Sequence, residues 1–216
     1  MGKSVSIVNQ KGGVGKTTTA VNLGAALALY RQSCLIIDMD PQSNATSGQG
    51  LTGVTPTIYD VLVKNKEPES VIKKFILIDA PPSLGLLTVN SLVGADSVLI
   101  PIQAEFYAME GLSKLLNTVR NIQRELNSRL TIEGVLLTLF DTRLNLAHEV
   151  TDEVCKYFGD KVFEVIIPRN VKLAEAPSYG KHIFDYDPGS RGAEVYKMLA
   201  EEVIRRNGKT GAWQRV

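Results

Sequence analysis

Asn9-Gln10-Lys11-Gly12-Gly13-Val14-Gly15-Lys16-Thr17-Thr18 follows a short apolar run, Val5 to Val8, and leads into a segment rich in Ala and Leu. A strand, a glycine loop and a helix N-terminus in that order form a cradle for a phosphate chain. Glycines at 12, 13 and 15 let backbone N–H groups approach phosphate oxygens with no Cβ in the way. The helix start adds unpaired amides and the positive end of its dipole. Lys16 is spaced to reach the β- and γ-phosphates of a nucleotide, and the Thr17 hydroxyl to ligate Mg²⁺, with Val14 and Thr18 completing the loop. The usual pattern, G-x-x-x-x-G-K-[ST], has its first glycine where this chain has Gln10, and a second lysine, Lys11, stands beside it.

Outward from the loop, strand-length apolar runs alternate with helical periods. The strand candidates are Ser4–Asn9, Cys34–Asp38, Phe75–Asp79, Ser97–Ile102, Ile132–Phe140 and Val162–Ile167, rich in Val and Ile as buried parallel strands are. Leu112, Leu115, Leu116, Val119, Ile122 and Leu126 form one apolar helical stripe, and Val195, Met198, Leu199 and Val203 another. The alternation predicts an α/β fold: a doubly wound, mostly parallel sheet with helices on both faces, of the P-loop NTPase kind. Ligands of such sheets sit beyond the carboxyl ends of the strands.

A chain of 216 residues, 44% hydrophobic and 22% charged, fits one domain with an ample core, expected over residues 1–204. Residues 205–216 carry Arg205, Arg206, Lys209 and Arg215 with no acid and read as a flexible basic tail. The formal charge of +1 excludes a global electrostatic case for nucleic acid, so any such binding needs a local patch. No apolar run approaches the roughly 20 residues that cross a bilayer, and no signal-peptide core follows Met1, so a cytoplasmic protein is expected. Cys34 and Cys155 stand far apart with no CxxC partner and read as buried thiols rather than metal ligands.

Two more segments carry chemistry. Cys34-Leu-Ile-Ile-Asp38-Met-Asp40-Pro41-Gln42 is a buried strand closing on two carboxylates where a metal and a γ-phosphate would sit. One carboxylate is suited to the metal shell, the other to positioning or deprotonating a water. An Asp-Pro turn cap is the bland alternative. Phe75-Ile-Leu-Ile-Asp79-Ala-Pro-Pro closes a second apolar strand on Asp79, which reads as a metal ligand acting through water, and Pro81 and Pro82 stiffen the turn that follows.

Lys11-Gly-Gly-Val-Gly-Lys16-Thr-Thr resembles the deviant Walker A loop of the ParA/MinD group of ATPases. Asn9-Gln10, Asp38-Met-Asp40-Pro-Gln-Ser-Asn-Ala-Thr, Asp79-Ala-Pro-Pro-Ser-Leu-Gly-Leu-Leu-Thr, Gln103-Ala-Glu-Phe-Tyr-Ala-Met-Glu-Gly-Leu and Ile167-Pro-Arg-Asn-Val-Lys-Leu-Ala-Glu-Ala-Pro-Ser resemble its ParA/Soj partition branch. The likeness runs from near Met1 to about Val203.

The resemblance implies an ATPase using ATP and Mg²⁺, a switch for chromosome or plasmid partitioning in the nucleoid. ATP closes a homodimer, the dimer binds DNA non-specifically, and a ParB-type partner stimulates slow hydrolysis. It implies that Lys11 crosses the dimer to the partner's phosphates, that Gly12 lies at that contact and that Asp40 is needed for hydrolysis, which leaves Asp38 to the metal with Thr17 and Asp79. It further implies that Pro168 and Asn170 line the adenine pocket, and that Arg143 and Lys172 contact DNA. From composition alone, Arg143 and Lys172 read as two solvated surface charges. Similar proteins carry an extra strand and helix between Lys74 and Phe75, so this chain is expected to be a shortened member.

Two alternatives remain open. A MinD-like membrane ATPase ends in an amphipathic, lipid-docking helix, whereas this chain ends in a stretch broken by Gly208 and Gly211 with one large aromatic, Trp213. A nucleotide-binding scaffold with impaired turnover would follow if the missing segment disables the site.

Overall fold

The computed structural model describes residues 2–53, 75–105 and 108–208. Five runs of β-branched and aliphatic residues form strands: β1 (Lys3–Ile7), β2 (Cys34–Asp38), β3 (Phe75–Asp79), β4 (Ser97–Gln103) and β5 (Thr131–Thr138). They pair all-parallel in the order β2-β3-β1-β4-β5. The helices are α1 (Lys16–Leu29), α2 (Asn44–Ser47), α3 (Leu86–Val93), α4 (Ala108–Glu125), α5 (Asn145–Phe158), α6 (Val171–Glu175), α7 (Ile183–Tyr186) and α8 (Arg191–Gly208).

Parallel strands are apolar on both sides, so each face of the sheet needs cover. On one face Leu23 and Leu27 of α1 and Tyr196 and Leu199 of α8 pack on Val5, Ile7 and Leu77. On the other, Leu92 of α3, Leu115 and Val119 of α4 and Val154 of α5 pack on Val98, Ile100 and Ile102. The expected α4 stripe is buried from Leu112 to Ile122, while Leu126 falls past the helix end and is exposed. In α8, Met198 lies outside the buried stripe. From β1 the chain builds to one side as β2 and β3, then to the other as β4 and β5. The loop after β1 therefore lies over the point where the strand order reverses, where ligands of such sheets bind.

The sixth expected strand, Val162–Ile167, does not form as a regular strand. Phe163 and Ile167 donate to the Val135 and Leu137 carbonyls of β5, both at 2.9 Å. Between them the amides of Glu164 and Val165 donate instead to the Glu202 carboxylate of α8, at 2.9 and 3.0 Å. A buried acid on a neighbouring helix thus takes donors that a continuous ladder would use, leaving isolated bridges at Val162 and Pro168. Gly134 belongs to the same arrangement, since a Cβ there would lie 2.6 Å from the Phe163 ring.

The basic tail also starts later than expected. α8 runs through Arg205 and Arg206 to Gly208, and both arginines are paired, Arg205 with Glu164 at 2.9 Å and Arg206 with Glu202. Residues 209–216, with Lys209, Trp213 and Arg215, lie outside the described residues, as does 54–74, where the shortening is expected. Cys34 sits on the expected strand and Cys155 on α5, but Cys34 is half-buried and Cys155 exposed, against the expectation of two buried thiols. Cys155 falls off the apolar stripe of α5, whose buried positions are Ala147, Val150, Val154 and Phe158.

Candidate functional site

The loop between β1 and α1 is pinned at each end by side chains. Asn9 donates to the Pro101 carbonyl at 2.7 Å and accepts from the Lys11 amide at 3.0 Å. Gln10, standing where the usual pattern has glycine, donates to the Gly111 carbonyl of α4 at 3.1 Å. Thr138 at the end of β5 supports the floor by donating to the Val14 carbonyl at 2.8 Å. Gly13 and Gly15 have φ of +73° and +84°, a region that side chains rarely enter, so the loop's curvature depends on glycine there. Gly12 differs: it has no positive φ, and a Cβ built on it meets nothing within 4 Å.

Lys16 lies under the loop, 6% exposed, with its ammonium donating to the Lys11 carbonyl at 2.9 Å. Burial pulls its pKa down, and Asp79 and Asp40 oppose that pull. Lys11 points outward, half-exposed, and pairs with Glu105 just beyond β4.

Asp79 ends β3 opposite both Ile7 of β1 and Asp38 of β2. Its carboxylate is fully buried; the Thr17 side chain acts on it as a donor, but no hydrogen bond of ordinary geometry reaches either oxygen among the described residues. Burial pushes its pKa up to about 7, with Asp38 and Asp40 adding to the rise and Thr17 and Lys16 opposing it. Two buried acceptors with room for further donors, beside the Thr17 hydroxyl and the Lys16 ammonium, suit a cation's water shell. No group of three or more His, Cys, Asp or Glu gathers among the described residues to cage a metal. That fits Mg²⁺, which is held by one or two carboxylates, water and phosphate oxygens.

The raised Asp79 pKa has a consequence for the free protein. Its folded value near 7 lies above the ordinary 3.8, so its stability contribution is whole below pH 4 and is lost as pH climbs through 7. The loss amounts to about 2–4 kcal/mol between pH 4 and 8, at 1.36 kcal/mol per pKa unit. Urea unfolding of ligand-free protein is expected to show this fall in wild type and not in Asp79→Asn. Parallel pH profiles in the two would refute it.

Asp38, expected at the metal, and Asp40, expected in hydrolysis, differ in how they are held. Asp38 uses one carboxylate oxygen on the Asp40 amide (3.2 Å) and the other on the Thr46 amide and hydroxyl (2.9 and 2.8 Å). It orders the turn that carries Asp40 and docks α2. Asp40, 9% exposed, accepts from the Gln42 amide at 3.0 Å through one oxygen, and its other oxygen has no hydrogen bond among the described residues.

Pro168 and Asn170 leave the β5 side of the sheet, where Asn170 caps α6 by accepting from the Leu173 amide at 3.2 Å. Asn170 lines a cavity of about 80 Å³ beneath the loop together with Gly15, Thr18 and Leu139. A larger cavity of about 420 Å³ opens between α1, α2 and the 177–181 segment, lined by Thr17, Thr18, Asn22, Asn44 and Lys181. Sequence reasoning did not pick out Asn22, Asn44 and Lys181, nor Glu105 as the partner of Lys11. Glu105 lies in a quoted motif, but pairing across 94 positions has no local signature. Arg143 and Lys172 are surface residues, each paired with an acid, Asp141 and Glu175 respectively. No described helix is long and apolar enough to cross a membrane.

Comparison with known proteins bears on this geometry. Residues 5–183 match the family model of the CobQ/CobB/MinD/ParA nucleotide-binding domain. The chain is 49% identical over 249 positions to the sporulation initiation inhibitor protein Soj of Bacillus subtilis, covering 94% of this chain and 98% of that protein. It is 45% identical over 254 positions to the chromosome-partitioning ATPase Soj of Treponema pallidum, covering 97% of this chain and 100% of that protein. Both alignments are longer than the 216-residue chain, so each relative carries residues with no counterpart here. Among solved structures, cobyrinic acid a,c-diamide synthase of Mycobacterium smegmatis, with a bound ATP analogue and magnesium, superposes with a TM-score of 0.82. It is 28% identical, over 98% of this chain and 97% of that one.

Proposed function

The chain belongs to the CobQ/CobB/MinD/ParA nucleotide-binding family, with Soj chromosome-partitioning ATPases among its relatives, and on that premise we propose that it is an ATP-driven partition switch. The observation that carries the reading is Asp79, a buried carboxylate beside Lys16 and Thr17 with no hydrogen bond of ordinary geometry to either oxygen among the described residues. Such a group is costly in a protein that binds no cation there, and useful in one that does.

In this reading the loop amides from Gly12 to Thr18 cradle the phosphates of ATP and Lys16 neutralises them from below. Thr17 and, through water, Asp79 would hold Mg²⁺, whose chemistry is to neutralise charge on the transferred phosphoryl group. Asp38 serves mainly to order the Asp40 turn, since both its oxygens are already engaged. Asp40 orients and deprotonates the attacking water with its open oxygen. Pro168 and Asn170 border the adenine. Lys11 exchanges its Glu105 partner for the phosphates of a second copy, so that nucleotide occupancy is reported as dimerisation. Leu86, 81% exposed in the first turn of α3, offers apolar surface for that contact. The dimer joins two copies of the Arg143 and Lys172 surface on non-specific DNA at the nucleoid, and a ParB-type partner stimulates hydrolysis and release.

Gly12→Val tests the switch. A Cβ at this position meets nothing within 4 Å among the described residues, so the variant is expected to fold and bind ATP as wild type does. Light scattering should show the mass of wild type doubling with ATP and Mg²⁺ while Gly12→Val stays a monomer. Monomers in both would favour a second reading, a nucleotide-binding scaffold lacking the residues its relatives carry.

A further inference from the structure

The turn after β5 and the segment entering α6 lie side by side. Phe140 donates to the Ile167 carbonyl at 3.1 Å, and its own carbonyl accepts from the Arg169 amide at 3.0 Å. This brings Arg143, Arg169 and the start of α6 with Lys172 to one part of the surface. The cations differ in how they are held. Arg143 grips both oxygens of Asp141, through Nε at 2.9 Å and a terminal nitrogen at 2.7 Å. Lys172 donates to Glu175 at 3.1 Å, and its ammonium stands 5.7 Å from the centre of the Tyr186 ring. Tyr186 in turn donates to the same Glu175 oxygen at 2.9 Å. Arg169 is exposed and forms no ion pair among the described residues, though it acts on the Asp141 carboxylate from a distance.

We propose that Arg169 is a third phosphate contact on this surface, and that Asp141 and Glu175 mask Arg143 and Lys172 until the phosphates of duplex DNA displace them. The inference rests on the DNA-binding reading above and assigns roles to three residues which that reading leaves unused. Exposed pairs like these are weak, so a phosphate oxygen competes with the carboxylate. Arg143 holds the Asp141 carboxyl well below the usual carboxylate range, as expected of a carboxylate engaged through both oxygens. The mask also changes the salt dependence of binding. An unpaired cation that meets a phosphate releases about 0.9 of a condensed counterion from the DNA. A masked cation also frees a carboxylate, which collects a counterion of its own, so the net release is smaller.

The test is fluorescence anisotropy of full-length protein, with a non-hydrolysable ATP analogue and Mg²⁺, on a labelled duplex of random sequence across a salt series. Asp141→Asn and Glu175→Gln are each expected to raise affinity about threefold and to steepen the log–log salt slope by up to about 0.9. Asp187→Asn removes an acid that influences Lys172 without bonding to it, and should leave the slope unchanged. Arg169→Ala should weaken binding about fivefold and flatten the slope by about 0.9, and Arg169→Lys should restore the slope. Equal gains and unchanged slopes for all three acid variants would show only general repulsion and overturn the mask. A wild-type slope in Arg169→Ala would overturn its contact. A wild-type protein that ignores the duplex would overturn the DNA-binding reading itself, and this inference with it.

Discussion

Asp40→Ala is expected to lower partner-stimulated ATP turnover at least about 100-fold, the scale of a lost general base, while ATP binding and ATP-dependent dimerisation persist. The expectation follows from how the turn is built. One Asp40 oxygen is committed to the Gln42 amide, and the Asp40 amide is held by Asp38. The uncommitted oxygen is therefore fixed in direction and free to accept a proton. Lys16 keeps Asp79 as its larger carboxylate influence when Asp40 is removed, so its charge and phosphate contact survive. Asp40→Asn separates chemistry from folding, because an amide oxygen still accepts from Gln42 but is no base. Phosphate release in the presence of DNA and partner measures turnover, and light scattering with ATP measures the dimer. Turnover at the wild-type rate in either variant would remove Asp40 from the mechanism.

Lys16→Ala is expected to weaken ATP binding at least 100-fold. The lysine is the buried positive charge among Asp79, Asp40 and the incoming phosphates. Each charge-assisted hydrogen bond contributes about 1.5–3 kcal/mol, so losing two exceeds the roughly 2.7 kcal/mol that a hundredfold change represents. Without the ammonium, the triphosphate also faces the Asp79 and Asp40 carboxylates with less compensating charge. Titration with a fluorescent ATP analogue reads the loss, and binding within about threefold of wild type would contradict it. The ligand-free variant carries a second signature. Lys16 lowers the Asp79 pKa, so its removal should move the loss of stability with pH to higher pH.

Part of the molecule is written locally in the chain. The loop from Lys11 to Thr18 combines glycines where the backbone turns left-handed, at 13 and 15, with a lysine and threonine at the helix start. Apolar runs closing on Asp38 and Asp79 place both acids opposite each other in the sheet, Asp38 on Asp79. Strand and helix periods in the sequence accordingly lead to the parallel sheet covered on both faces.

The remainder depends on groups that meet only after folding. Val162–Ile167 has the composition of a strand, yet Glu202, distant in sequence, takes two of its amides. Arg205 and Arg206 read as a loose tail, yet Glu164 and Glu202 hold them in a helix. Asp38 and Asp79 look alike in sequence as acids ending apolar strands. Thr46 occupies one of them, whereas the other is sealed at the centre of the sheet with no hydrogen bond of ordinary geometry among the described residues. Sequence by itself determined the fold class and the phosphate loop, because both follow from short-range periodicity and backbone stereochemistry. Tertiary structure alone decided which strand-ending carboxylate is sealed from solvent and that Glu105 restrains Lys11, because burial and long-range ion pairing exist only once distant segments pack together.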